Sequence, residues 1–127
     1  MKRLDVLVID DNQLIRFTTA MLLKQLQMDT RTAHSGLEGL KFAHEHKPDV
    51  ILLDIMMPDM DGWAVLKEIE NDPELSSTPV ILFTALEQNL FTSAANSSNV
   101  KTILQKPFHL EELSNAIKIA TQHLEAK

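Results

Sequence analysis

The chain has 127 residues, no cysteine and a formal net charge of -6, from 12 Lys+Arg against 18 Asp+Glu. Residues 1–127 are expected to form one domain, and 44% hydrophobic residues supply a core and exclude disorder as the main state. A disulfide scaffold and a cysteine zinc site are excluded outright, and the acidic balance argues against a basic nucleic-acid-binding face.

Lys2 and Arg3 precede Leu4, but the apolar run Val6–Ile9 is too short for a signal peptide and Asp5, Asp10 and Asp11 bracket it. No stretch approaches the ~20 apolar residues of a bilayer span, so a cytoplasmic protein without a membrane partner is expected. Val6–Ile9 reads as a strand covered on both faces, because it is short, β-branched and not alternating. Gln13–Leu26 follows with Leu14, Phe17, Met21, Leu22 and Leu26 at helical spacing. Met28–Ala33 alternates Met28, Thr30 and Thr32 with Asp29 and Arg31, as a half-exposed edge strand does. Leu37–His46 presents Leu37, Leu40 and Ala43 on one helical face before Lys47-Pro48 stops it.

Val50–Leu53 is a second fully apolar strand. Trp63–Glu70 presents Trp63, Leu66 and Ile69, and Asp72-Pro73 closes that helix. Val80–Phe83 and, more weakly, Thr102–Leu104 complete the strands. Between them, Leu86–Ser98 has the apolar residues of a short helix, ending in the turn signal Asn96-Ser97-Ser98-Asn99. The last stripe is the clearest: Leu110, Leu113, Ile117, Ala120 and Leu124, with Pro107 ahead of the helix. Strand and helix thus alternate five times, the pattern of a parallel sheet with helices on both faces.

Functional groups of such folds collect at the carboxyl ends of the strands. The first strand ends in Asp10-Asp11, the third in Asp54 and the fourth in Thr84-Ala85, and the fifth runs into Lys106-Pro107. Three carboxylates gathered at one sheet edge repel one another and call for a hard divalent cation, most simply Mg²⁺, with Lys106 balancing the remaining charge. A cation, an ammonium and a hydroxyl together suit the oxygens of a transferring phosphoryl group. A carboxylate is already ionised near neutral pH and attacks phosphorus without a general base. Each residue alone has an ordinary reading: Asp11 or Asn12 as a helix N-cap, Asp54 as a turn residue, Thr84 as a strand residue, Lys106 as a solvated lysine. Their coincidence at strand ends favours the joint functional reading.

Val6-Leu7-Val8-Ile9-Asp10-Asp11-Asn12, the run Val50–Gly62 with Asp54 and Pro58, Phe83-Thr84-Ala85 and Lys106-Pro107-Phe108 together resemble the receiver domain of bacterial response regulators, in order and in spacing. The resemblance implies a flavodoxin-like, doubly wound α/β fold: a five-stranded parallel sheet of order 2-1-3-4-5 flanked by five helices. It implies a two-component phosphorelay switch rather than a conventional enzyme, one that catalyses only its own aspartyl phosphorylation and dephosphorylation. Asp54 would be the phosphoacceptor. Asp11, Asp54 and the backbone carbonyl of Met56 would hold Mg²⁺, with Asp10 acting through coordinated water. Thr84 and Lys106 would bind the phosphoryl group, Lys106 would also pair with Asp54, and the Lys106–Pro107 peptide would be cis. The implied partners are a histidine kinase or histidine phosphotransfer domain and a downstream protein target. That target would meet the face made by Leu86–Ser98, the fifth strand and the last helix, where phosphorylation-dependent homodimerisation is also open.

Some positions depart from the family pattern. Ile103 stands where many receivers carry Tyr or Phe, so the switch is expected to use Thr84 and Leu86–Ser98 with a smaller change at Ile103. Met56 and Leu86 follow Asp54 and Thr84 by two residues. Neither can orient water by hydrogen bonds, which predicts a long-lived phosphorylated state. Asn99 replaces a common Gly and is expected to keep a left-handed turn.

Other features have ordinary readings. Asp59-Met60-Asp61-Gly62 matches part of an EF-hand loop, but its first position is Met57. His44-Glu45-His46 is expected on a solvated face rather than at a metal, because its imidazoles diverge on a helix. Trp63 is expected to pack against the sheet, and either Leu90 or Phe91 to join the output surface or the core. Haloacid-type phosphatases want Asp-x-Asp after the first strand, and Asp10-Asp11 are adjacent. A receiver acting only as a scaffold does not need all five site residues. One receiver fills the 127 residues and leaves none within them for an output region.

Overall fold

The computed structural model describes residues 3–58, 60–84 and 97–122. Five strands, β1 (Asp5–Ile9), β2 (Asp29–Ala33), β3 (Val50–Asp54), β4 (Val80–Thr84) and β5 (Val100–Gln105), form one sheet of order β2-β1-β3-β4-β5. All neighbouring pairs are parallel, with Val6 beside Val50 and Thr30, and Asp54 beside Phe83. This is the strand order that the resemblance implies. Four helices lie among the described residues: α1 (Gln13–Gln25), α2 (Gly36–His46), α3 (Gly62–Asn71) and α4 (Leu110–Ala120). The helix expected within Leu86–Ser98 falls largely on residues 85–96. Those residues lie outside the described ones, as do the expectations for Leu86, Leu90 and Phe91.

Strand alternation sends successive side chains to opposite faces, so the sheet carries two cores. Leu7, Ile9, Ile51, Leu53 and Leu82 pack with Ala43 of α2 and with Val65, Leu66 and Ile69 of α3. Val6, Val8, Val50, Leu52, Ile81 and Phe83 pack with Leu23 of α1 and with Leu113, Ala116, Ile117 and Ala120 of α4. β3 and β4 are buried throughout, as their continuous apolar runs require. β2 alternates exposed and partly buried residues, as expected of the edge strand. Trp63 is half-buried against the first core.

The buried face of α1 differs from the most obvious stripe. Leu14, Phe17 and Met21 are exposed, whereas Thr19 and Leu23 are buried and Ile15, Leu22 and Leu26 pack against the second core. Both sets repeat at helical spacing, and sequence periodicity alone cannot rank them. Leu37 is likewise exposed; the buried residues of α2 are Gly36, which faces Val65 of α3, Gly39, which faces Ile9 of β1, and Ala43 in the first core. A Cβ on Gly39 would stand 2.4 Å from Ile9, which is why this helix comes so close.

Asn99 does not take the expected left-handed conformation; among the described residues only Gln27 and Lys47 do so outside glycine. It is instead a buried anchor, its amide Nδ2 donating to the carbonyls of Thr78 (2.8 Å) and Leu75 (3.3 Å). The turn before β5 is therefore held by side-chain hydrogen bonds, which glycine lacks.

Candidate phosphoacceptor site

β1 stops at Ile9, and Asp10 follows with its N–H still bonded to the Ala33 carbonyl at 3.1 Å. The chain then turns at once into α1. Asn12 caps that helix, its Oδ1 accepting from the Ile15 N–H at 3.0 Å. The ordinary N-cap reading thus belongs to Asn12, which frees Asp10 and Asp11 for other work. Asp10 is fully buried: its Oδ1 accepts from the Asn12 N–H at 2.8 Å and its Oδ2 from Lys106 Nζ at 2.7 Å. Asp11 is exposed beside it.

Asp54 is the last residue of β3, the middle strand, and is 4% exposed. Its Oδ1 accepts from the Met56 N–H at 3.2 Å and lies 3.6 Å from Lys106 Nζ. Carboxylate oxygens of Asp10, Asp11 and Asp54 all lie within 4.8 Å of one another. The three acids that sequence reading placed at one sheet edge therefore converge on one point. An all-oxygen donor set of this spacing fits a hard divalent cation, and the occupied oxygens of Asp10 fit a role through coordinated water.

Lys106 is placed from three sides. Its backbone N–H donates to the Thr84 carbonyl at 2.8 Å, joining the ends of β4 and β5. The Lys106–Pro107 peptide is cis, as the resemblance implies. Its ammonium lies 4.6 Å from the centre of the buried Phe83 ring, which in turn meets Phe108 edge-on at 6.3 Å. The ammonium bridges Asp10 and Asp54 and is closer to Asp10, a pairing that sequence reading did not anticipate. Thr84 is buried at the end of β4. Ile103 pairs with Leu82 across β4 and β5 and is half-buried against the first core.

The charges act on Asp54 in opposite directions. Burial and the neighbouring Asp10 raise its pKa from the usual 3.8 to about 6, against the lowering effects of Lys106 and the Met56 N–H; Asp11 adds a smaller upward push. Asp54 is therefore ionised at neutral pH yet under strain, a carboxylate ready to gain a cation or an electrophile.

Sequence reading missed the packing that aims Asp54. Gly62 opens α3 with its N–H on the Ile55 carbonyl at 2.9 Å, and a Cβ there would stand 2.4 Å from the Asp54 carbonyl oxygen. The signal was a glycine directly after the cap Asp61, whose Oδ1 accepts from Ala64 N–H at 2.9 Å. That cap also accounts for Asp61 outside any EF-hand. A shallow pocket of about 440 Å³ is lined by Ile55, Met56, Met57 and Pro58, which follow Asp54 in the chain, together with Asp61 and Trp63. Met56 is 59% exposed there.

A second grouping, His44, Asp72 and Glu74, also brings donor atoms within 4.8 Å. His44 pairs with Asp72 at 2.6 Å and Glu74 with Lys47, so these side chains tie α2 to the end of α3. His44 is thus engaged rather than simply solvated, while His46 meets the Phe42 ring at 6.0 Å.

No helix among the described residues is long and apolar enough to cross a membrane. Residues 6–118 match the response regulator receiver domain family. The chain is 37% identical to protein PilG of Pseudomonas aeruginosa, over 91% of this chain and 85% of that protein. It is 32% identical to the polar-differentiation response regulator DivK of Brucella ovis, over 89% of this chain and 92% of that protein. Among solved structures, chemotaxis protein CheY4 of Vibrio cholerae superposes with a TM-score of 0.87 at 26% identity, covering 94% of this chain and 99% of that one. Site geometry, strand order and these likenesses agree, and the chain belongs to the response regulator receiver domain family.

Proposed function

We propose that this receiver takes a phosphoryl group on Asp54 from a histidine kinase or histidine phosphotransfer domain and passes the signal to a protein target. One observation carries the reading: the buried Asp54 carboxylate ends the middle strand with the Asp10 and Asp11 carboxylates and the Lys106 ammonium converging on it.

In this reading an Asp54 oxygen attacks phosphorus as the bond from phosphorus to the donor's imidazole nitrogen breaks, leaving an acyl phosphate on Asp54 and a neutral donor histidine after protonation. Asp10, Asp11, Asp54 and the Met56 carbonyl are the groups that would hold Mg²⁺. When bound, Mg²⁺ supplies neutralisation of charge on the phosphoryl oxygens. Lys106, already within 3.6 Å of Asp54, follows that charge as it builds, and Asp10 keeps the ammonium aimed. Thr84 offers a hydroxyl at the neighbouring strand end. Its movement, passed on through Ile103 in β5, is the proposed route to the target-binding face formed with α4, where a phosphorylation-dependent homodimer is one form of output. Met56 presents a thioether where an orienting polar group would speed hydrolysis, so the acyl phosphate is long-lived. The protein acts as one domain in the cytoplasm of a bacterial cell, its only chemistry that of its own phosphorylation and dephosphorylation.

Intact-mass spectrometry after incubation with acetyl phosphate and Mg²⁺ tests this. Wild type gains the mass of one phosphoryl group and Asp54→Ala gains none; no gain in wild type overturns the reading in favour of a scaffold.

A further inference from the structure

One cation beside the acids has no part in this chemistry. Arg16 stands in the first turn of α1, and its Nη1 donates to the backbone carbonyl of Asp10 at 2.8 Å. That carbonyl belongs to the peptide joining Asp10 to Asp11, one residue beyond the end of β1. The Asp10 side chain has its own anchors in Asn12 and Lys106. Asp11 has none: among the described residues no hydrogen bond or ion pair engages its carboxylate. The point from which that carboxylate swings is therefore set by the backbone, and Arg16 holds the Asp10–Asp11 peptide from another element.

We infer that Arg16 is a positioning residue for divalent-cation binding: its guanidinium locks the Asp10–Asp11 peptide and so keeps the exposed Asp11 carboxylate within reach of Asp10 and Asp54. The inference rests on the reading of the acidic cluster as a cation site. Charge and positioning make opposite demands here. If Arg16 acted only through its charge, it would repel an incoming cation, and removing it would tighten binding. If it acts by positioning, removing it weakens binding although the site becomes more negative. Outer partners of this kind commonly change metal affinity by about 10–100-fold.

The test is calorimetric titration of the full chain with MgCl₂, for wild type, Arg16→Met and Arg16→Lys. Arg16→Met keeps the apolar stem, and Arg16→Lys keeps the charge without the planar fork. Arg16→Met is expected to bind Mg²⁺ about 10-fold more weakly than wild type, with Arg16→Lys in between. Equal or tighter binding by Arg16→Met overturns the inference. If circular dichroism shows Arg16→Met unfolded, Arg16→Lys decides by the same criterion, weaker binding supporting the inference and equal or tighter binding overturning it. Absence of Mg²⁺ binding by wild type overturns the cation-site reading itself, a result distinct from either variant outcome.

Discussion

Asp54, the proposed phosphoacceptor, carries a charge that the surrounding fold disfavours. Its folded pKa of about 6 lies above the usual 3.8, so between these values the folded protein holds the proton more tightly than the unfolded chain does. Stability from this group is present at low pH, falls as pH rises through that window and is fully lost above it, a cost of the order of 2–3 kcal/mol. Asp54→Asn is therefore expected to raise the urea midpoint of the cation-free protein at pH 7.5, and to lose that advantage below pH 4. An unchanged midpoint at pH 7.5 would show that Lys106 already offsets the repulsion. Lys106 carries the opposite prediction. Its removal strands the fully buried Asp10 charge, and losing one partner of a buried pair costs about 3–5 kcal/mol. Lys106→Met should thus unfold at clearly lower urea at pH 7.5, and a midpoint matching wild type would contradict the bridging role. At Met56, replacement by Asn adds a donor and an acceptor, and phosphoprotein decay followed on Phos-tag gels should accelerate several-fold; unchanged decay would place the control of lifetime elsewhere.

Among the elements, the strands were the most legible in sequence and the helix faces the least. β1, β3 and β4 announce themselves because both of their faces are buried, leaving apolar runs with no alternation to misread. The positions of Asp10, Asp11, Asp54, Thr84 and Lys106 follow from that legibility, since each stands at or just beyond a strand end. The resemblance implied the pairing of Lys106 with Asp54, but two contacts were not legible: Lys106 reaches Asp10 across 96 residues of chain, and Arg16 reaches a backbone atom that no side-chain pattern reports. Helix α1 has two apolar sets, and the larger side chains lie on the exposed one. Leu23→Ala should accordingly cost about 2–5 kcal/mol, whereas Phe17→Ser should change stability by under about 0.5 kcal/mol, as equilibrium denaturation would show. The start of α3 sets a further limit. Gly62→Ala forces a methyl onto the Asp54 and Ile55 backbone, and overpacking of this kind costs about 1–3 kcal/mol. It should also slow phosphorylation, because the backbone that must yield carries Asp54.

Taken as a whole, the molecule sets two well-packed cores beneath a sheet edge that concentrates like charge. Part of the net charge of -6 is thus assigned to three acids at one point, with Lys106 on the Asp10 carboxylate and Arg16 on the Asp10 carbonyl. A ligand that binds only the folded protein stabilises it by mass action, about 2.7 kcal/mol at 100 times its dissociation constant. Mg²⁺ should therefore raise the melting temperature, and by more at pH 7.5 than at pH 5, where the proton on Asp54 competes with it. Equal shifts at both pH values would separate cation binding from Asp54. The central claim is that Asp54, and no other carboxylate, receives the phosphoryl group. Borohydride reduction of the acetyl-phosphate-treated protein converts an aspartyl phosphate to homoserine, which peptide sequencing by tandem mass spectrometry locates. The account predicts homoserine at position 54 alone; homoserine at position 10, 11 or elsewhere, with aspartate intact at 54, would contradict it.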